Sequence, residues 1–85
     1  MENNLSLVKE NFKELPNNIE AEQSVIGSIL VTNEIFDEIN TIISHVNFYD
    51  PMHQKIFNAI ESMIYKGMLA NPITLKNFFE NEKDD

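Results

Sequence analysis

Residues 48–67 read FYDPMHQKIFNAIESMIYKG, and this stretch decides the fold. Asp50 followed by Pro51 is typical of a helix N-cap and a proline at the first helical position, where the missing N–H costs nothing. Lys66 suits the negative end of the helix dipole, and Gly67 suits a left-handed stop. An apolar face recurs at helical spacing between these ends, through Ile56, Phe57, Ile60, Met63 and Ile64. The stretch therefore predicts the helix at the centre of the core.

Two further helices are predicted upstream. Asn17 or Asn18 can cap the first, because an asparagine side chain accepts the free N–H groups of a first turn. Glu20 lies three residues after Asn17, as in a capping box. The second helix starts at Thr32, and we expect it to end near Ser44.

One more helix is predicted downstream. Asn71-Pro72 repeats the pattern of cap and proline, and Phe78 and Phe79 follow it. We expect this helix to end after two turns, beside the phenylalanine pair. No alternating apolar run and no Asn-Gly or Asp-Gly turn occurs, so strands are not expected. The predicted fold is all-α, a small orthogonal helical bundle of four to five helices.

The chain divides into a leader, a body and a tail. Residues 1–15 carry one apolar stripe, which predicts either a short helix docked on the body or a disordered leader: Leu5, Val8, Phe12 and Leu15. Pro16 ends this segment. Residues 16–80 form the predicted helical domain, and residues 81–85 a polar tail.

Two local features carry specific expectations. Gly27 costs roughly 1 kcal/mol relative to alanine inside a helix. We favour a close helix crossing there, which a side chain would hold apart, over a merely tolerated glycine. Residues 45–49 form a loop, and its aromatic residues Phe48 and Tyr49 are expected to cover the core.

Composition excludes several classes of protein. The 85 residues include no cysteine, so disulfides and thiolate metal sites are excluded. Six lysines stand against 14 carboxylates, and the formal net charge is −8. Because nucleic-acid affinity comes largely from cations at phosphates, direct binding to DNA or RNA is not expected, nor is binding to an anionic membrane. With no apolar run near the ~18 residues of a membrane span and no secretion signal, a cytoplasmic protein-binding domain is expected.

Few residues suggest a catalytic, metal-binding or ligand-binding site. No G-x-x-x-x-G-K phosphate loop occurs. His45, Asp50 and His53 surround one helix start, so a metal or acid–base site is conceivable, but a structural capping network is the preferred interpretation. The methionines Met52, Met63 and Met68 suit either an adaptable binding groove or, preferably, ordinary core filling. The apolar face of residues 52–64 is broad for so small a domain, and we expect part of it to bury against another subunit.

Two stretches resemble one known family. Residues 17–30, NNIEAEQSVIGSIL, followed by NEIFDEI at 33–39, look like the start of the DnaB-type replicative DNA helicases. The segment FYDPMHQKIF-AI is similar to that family's FYDP-x-H-x-x-IF-x-AI pattern, and Gly67 and Thr74-Leu75 follow at the family's spacing. The residues that carry the motif are Gly27, Phe48, Tyr49, Asp50, Pro51, His53, Ile56, Phe57, Ile60 and Gly67.

The resemblance implies which kind of protein this chain belongs to and what its domain does there. Members of this family are hexameric rings that unwind duplex DNA with ATP, and this chain corresponds to their N-terminal collar domain. That domain helps assemble the hexamer and contacts primase and helicase loaders. ATP and Mg belong to a C-terminal domain of RecA type, so no cofactor and no catalytic residue are expected here. The hairpin that pairs subunits lies beyond the matched region, so strong self-association is not expected.

Two other functions remain open. A stand-alone acidic helical regulator would use its negative surface against a basic protein partner. A small metal-dependent enzyme would use His45, Asp50 and His53.

Overall fold

The computed structural model of the protein describes Leu15 and residues 17–83. Within these residues it contains four α-helices, two 3-10 turns and no strand. The helices are α1 (Ile19–Val31), α2 (Phe36–Asn40), α3 (Pro51–Tyr65) and α4 (Pro72–Lys83), and the 3-10 turns are Asn33–Ile35 and His45–Asn47. The predicted all-α fold is confirmed. The predicted leader lies outside the described residues, apart from Leu15, and so does Pro16.

Helix α1 begins one residue later than a capping box at Asn17 requires. Asn18 is the N-cap, and its side chain accepts the N–H of Ala21 at 3.0 Å. Asn17 precedes it with a φ of 63°, a left-handed conformation that asparagine tolerates better than most residues. Glu20 is therefore the second helical residue and is exposed, so the predicted box is not formed.

Helix α2 is much shorter than expected. A 3-10 turn replaces its first part, and the helix ends at Asn40 rather than near Ser44. The next residues, Thr41, Ile42 and Ile43, are all β-branched, which lowers helix propensity. The Thr41 hydroxyl also donates to the Glu38 carbonyl at 2.6 Å, a local bond that competes with helix continuation.

Helix α3 spans the predicted range and ends by a complete Schellman arrangement. The N–H of Gly67 donates to the Ile64 carbonyl at 3.0 Å, and the N–H of Met68 donates to the Met63 carbonyl at 2.9 Å. Gly67 has a φ of 77°, which disfavours any side chain with a Cβ.

The core is built around three phenylalanine rings. The ring centroid of Phe57 lies 5.3 Å from that of Phe36 and 5.0 Å from that of Phe48. All three side chains are almost fully buried, so α3 does lie at the centre of the core. Other fully or nearly fully buried apolar residues come from all four helices and their connections, namely Ala21, Val25, Ile29, Ile39, Ala59, Ile60, Met63, Ala70 and Leu75.

The side chain of Asn33 joins two parts of the bundle by hydrogen bonds beside this core. The side-chain amide of Asn33 donates to the carbonyls of Ile29 at 2.8 Å and Ala70 at 2.9 Å, and its oxygen accepts the N–H of Ala70 at 2.8 Å. One asparagine thus ties the end of α1 to the segment that leads into α4.

The prediction of a close helix crossing at Gly27 is wrong for the described part of the chain. A Cβ placed on Gly27 would meet nothing within 4 Å beyond its own helix. The tolerated glycine is the interpretation that the structure supports.

Helix α4 is longer than the two turns expected. It runs for 12 residues and continues through Lys83, into the stretch that the sequence assigned to a polar tail. Phe78 and Phe79 are half-buried, and their rings meet edge to face with centroids 5.6 Å apart. None of the described helices is long and apolar enough to cross a membrane.

Candidate functional site

The most concentrated polar site lies where α1 meets the start of α3. Glu22 of α1 is fully buried, with 0% of its surface exposed. Its Oε2 accepts the backbone N–H of Tyr49, and its Oε1 accepts the N–H of Asp50 at 3.3 Å. The same Oε1 lies 2.7 Å from Nδ1 of His53. We name Glu22, Tyr49, Asp50 and His53 the carboxylate junction.

Local sequence explains why donors converge on this point. Asp50 caps α3 by accepting the N–H of Met52 at 2.8 Å, and Pro51 follows as the first helical residue. The N–H groups of Tyr49 and Asp50 lie just before the helix and outside its internal bonding, so they need another acceptor. A carboxylate there also faces the positive end of the helix dipole.

His53 completes the junction from the first turn of α3. It is buried, and its ring meets that of Phe48 edge to face with centroids 6.5 Å apart. When Glu22 is ionised it is only an acceptor, so Nδ1 of His53 then carries the hydrogen. The adjacent Gln54 donates its side-chain amide to the Phe48 carbonyl at 2.6 Å, a hydrogen bond from α3 to the same loop.

Most of the residues singled out by the sequence motif meet in this region. Phe48, Tyr49, Asp50, Pro51 and His53 form or adjoin the junction. On α3, Phe57 and Ile60 are fully buried and Ile56 is half-buried. The glycines Gly27 and Gly67 lie elsewhere, within α1 and after α3.

The expectation that Tyr49 covers the core is wrong. Its side chain is 64% exposed, whereas that of Phe48 is 1% exposed. Adjacent residues in an extended segment point to opposite sides, so only one of the two can face the core. What Tyr49 contributes to the interior is its backbone N–H.

Glu22 is the residue that the sequence analysis missed. It lies on the helical stripe of Ile19 and Ile26, a position that usually holds an apolar residue. A carboxylate interrupting such a stripe was the available signal. The signal was not decisive, because Glu22 also fits the acidic first turn of a helix.

The junction has the organisation of a structural site. Both oxygens of Glu22 are occupied by donors from this chain, and Asp50 is occupied as a cap. Among the described residues no three His, Cys, Asp or Glu side chains come together in a way that would hold a metal ion. His45, Asp50 and His53 therefore do not form the cluster that a metal site requires.

A second feature is an open groove between α3 and α4. Met52, Ala59 and Tyr65 line it from α3, and Phe78 and Phe79 line it from α4. Of the three methionines singled out by the sequence, Met52 lies in this groove, Met63 is buried in the core and Met68 is exposed outside both. Core filling thus holds for Met63 alone. We name this feature the α3–α4 groove.

Comparison with known proteins identifies the family of this chain. The family model described as DnaB-like helicase N terminal domain matches residues 14–85. This chain belongs to that family. The DnaB-like match includes all four described helices, the carboxylate junction and the α3–α4 groove.

Curated relatives point the same way. The chain is 36% identical over 86 aligned residues to the Replicative DNA helicase DnaB of Rickettsia typhi, with 94% of this chain and 17% of the relative covered. It is 41% identical over 69 residues to the protein of the same name from Rickettsia bellii, covering 81% of this chain and 14% of the relative. The corresponding Buchnera aphidicola (subsp. Baizongia pistaciae) protein is 38% identical over 79 residues, covering 93% and 17%. This DnaB-like chain thus spans about a sixth of the length of the curated relatives it matches, and no solved structure matches it significantly.

Proposed function

We propose that this chain works as the N-terminal interaction and assembly domain of a replicative DNA helicase. One observation carries the proposal. Nearly the whole chain aligns with proteins named Replicative DNA helicase DnaB, yet it covers only 14% to 17% of three of them. The proposed partners are other helicase subunits, primase and a helicase loader, in the cytoplasm.

The chemistry of the described residues supports a binding role rather than a catalytic one. The buried groups that could act as acid or base, Glu22 and His53, are bonded to each other and to backbone N–H groups. We assign no cofactor to this chain. ATP and Mg would bind to the C-terminal motor domain of the parent helicase, which would supply the enzymatic activity.

Charge supports protein partners over nucleic acid. Between residues 14 and 54 every charged side chain is a carboxylate, with no lysine among them. Such a surface repels phosphates, because nucleic-acid affinity depends on cations placed against them.

A binding experiment tests the proposal. The purified chain is titrated against the primase and the loader of its own organism and, separately, against single-stranded and duplex DNA at moderate salt. We expect the chain to bind the primase, the loader or both, and to bind neither single-stranded nor duplex DNA. An unrelated acidic protein of similar size controls for charge alone. Tight DNA binding by the purified chain, or partner binding no stronger than that of the control, would contradict the proposal.

A second candidate is a stand-alone acidic regulator that binds a basic protein. The run of carboxylates without a lysine from residue 14 to residue 54 favours it. Genomic context separates the two functions. A reading frame that continues beyond Asp85 into a Walker-type ATPase favours the helicase domain, and a stop codon there favours the regulator.

A further inference from the structure

We infer that residues 1–14, the part of the leader that precedes Leu15, bind the α3–α4 groove of their own chain. This contact lies within one copy of the chain and is independent of the proposed function. Of the two alternatives that the sequence left open for the leader, the docked helix is the one that this contact requires. The apolar lining of the groove, the place where the leader joins the body, its length and its charges support the contact.

The groove offers an apolar surface that is accessible in the structure. Tyr65 is 68% exposed and Met52 is 54% exposed, and both line the groove. Phe78 and Phe79 pack against the core and also line the groove. Apolar side chains gathered in one concave surface are typical of a site that binds another apolar surface.

Residues 1–14 carry an apolar stripe that suits such a site. Leu5, Val8 and Phe12 follow helical spacing. A helix of this length is marginal by itself in water, so it needs a surface on which to bury its stripe. The next member of the stripe, Leu15, is buried in the core. One end of the stripe is therefore already fixed to the body.

The leader joins the body near one end of the groove. Leu15 lies directly before α1, where its carbonyl accepts the N–H of Asn18 at 3.0 Å. Glu22, in the first turn of α1, bonds to the start of α3 through the carboxylate junction. Met52 is the groove residue at that end of α3. It is therefore the part of the groove that lies nearest to the leader.

The length of residues 1–14 also fits the groove. As an α-helix they would extend over about 21 Å. The groove residues of α3 run from Met52 to Tyr65, which is about 20 Å by the same geometry. Attachment at Leu15 gives the segment a roughly millimolar effective concentration at the groove. A modest contact is therefore enough to hold it there.

The groove carries charges of both signs. Its lining includes Lys55 and Lys76 together with the carboxylates Glu61, Glu80 and Glu82. Within the described part of the chain none of these five side chains forms an ion pair. A segment that also carries both signs can therefore be complementary to the groove.

Residues 1–14 have such a charge pattern. On a helix, Lys9 and Lys13 lie one turn apart on one flank of the apolar stripe, whereas Glu10 and Glu14 lie on the opposite side. The two lysines can thus meet carboxylates of the groove while these glutamates face water. A second copy of the chain, with its formal charge of −8, would be repelled as it approached the first. An attached segment of the same chain avoids that repulsion.

Oxidation of methionine by hydrogen peroxide, read by mass spectrometry on the 85-residue chain, tests the inference. Met52 lines the groove and Met68 lies outside it, and their exposed fractions are similar at 54% and 48%. With residues 1–14 in the groove, Met52 should be oxidised at least about fivefold more slowly than Met68. Tyr65 and Tyr49, which are 68% and 64% exposed, form a second pair of this kind for nitration.

Two leucine variants separate docking from a general effect of substitution. Leu5 belongs to the stripe and Leu7 lies outside it, so Leu5→Asp and Leu7→Asp make the same chemical change in different positions. Leu5→Asp should bring the oxidation rate of Met52 to within about twofold of that of Met68, and Leu7→Asp should leave the ratio unchanged. Slow oxidation of Met63, which is buried in the core, shows that both variants are folded.

Three results would overturn the inference. One is equal oxidation of Met52 and Met68 in the unchanged chain, and another is an equal response to Leu5→Asp and Leu7→Asp. The third is protection of Met52 that appears only as the chain concentration rises, which would indicate a second copy in the groove. Binding to primase and loader is measured separately, so each of these results leaves the proposed function standing.

Discussion

The carboxylate junction and the α3–α4 groove place similar side chains in opposite situations. Both combine carboxylates with aromatic residues, and both use α3. In the junction, Glu22 is fully buried and both of its oxygens accept hydrogen bonds from this chain. In the groove, Glu61, Glu80 and Glu82 form no ion pair with described residues. A buried charge must find its partners internally, whereas an exposed one remains available for recognition.

The largest expected effect concerns the core that supports both regions. Phe57→Ala should lower the free energy of unfolding by about 3–5 kcal/mol, because it removes a buried ring and leaves a cavity. Phe79→Ala is the matched change in the groove, and we expect about 1–2 kcal/mol because that ring is only half-buried. Urea unfolding of the two variants measures the difference. Equal shifts would show that the groove ring is as much a part of the core as Phe57.

The next effect tests the junction itself. Glu22→Ala should cost about 3 kcal/mol, because it leaves His53 and two backbone N–H groups without their buried acceptor. Glu20→Ala removes an exposed carboxylate two residues away, and we expect a change within about 0.5 kcal/mol. Thermal and urea unfolding provide the comparison. If Glu22→Ala were as mild as Glu20→Ala, the junction would not be a structural site.

A smaller pair of effects uses the two glycines of the chain. Gly67→Ala should cost about 1 kcal/mol, since the residue has a φ of 77°. Gly27→Ala should stabilise the protein by up to about 1 kcal/mol, because a Cβ there meets nothing within 4 Å and alanine favours helix. Opposite shifts of the urea midpoint are the expected result. If Gly27→Ala lowered the stability instead, that result would support the close helix crossing after all, with the contact made by residues outside the described ones.

The smallest expected effect on stability is at the groove rim. Lys76→Glu should change the free energy of unfolding by less than about 0.5 kcal/mol, because the side chain is exposed and has no internal partner among the described residues. Urea unfolding measures this effect. A loss of more than about 1 kcal/mol would mean that this lysine holds the fold together, which would remove the contrast between groove and junction.

How far the sequence could predict the structure differs from one element to another. Helix α3 was predicted at both ends because Asp50-Pro51 and Gly67 act through local backbone chemistry. Helix α2 was predicted too long, because its apolar spacing continues through Ile42 and Ile43 after the backbone has left the helix. Apolar period alone does not locate the end of a helix that lacks a stop signal.

At both the carboxylate junction and the α3–α4 groove, the sequence predicted one part of the site and not the other. The FYDP motif located the loop and the cap of α3, but it did not reveal that its N–H groups bind Glu22, which lies 27 residues before Tyr49. Likewise the breadth of the apolar face on α3 predicted burial against another subunit, which stays a prediction, and it did not reveal that α3 and α4 together line a groove. Both are contacts between elements distant in the chain.

The sequence by itself determined the helical class, the limits of α3, the acidic surface and the family, since these depend on local propensity, composition and a motif at fixed spacing. Only the tertiary structure decided which of many carboxylates is buried, which of two adjacent aromatic residues faces the core, and which lysines share a groove. Burial and pairing depend on how helices pack, and packing joins residues whose separation along the chain carries no local signal.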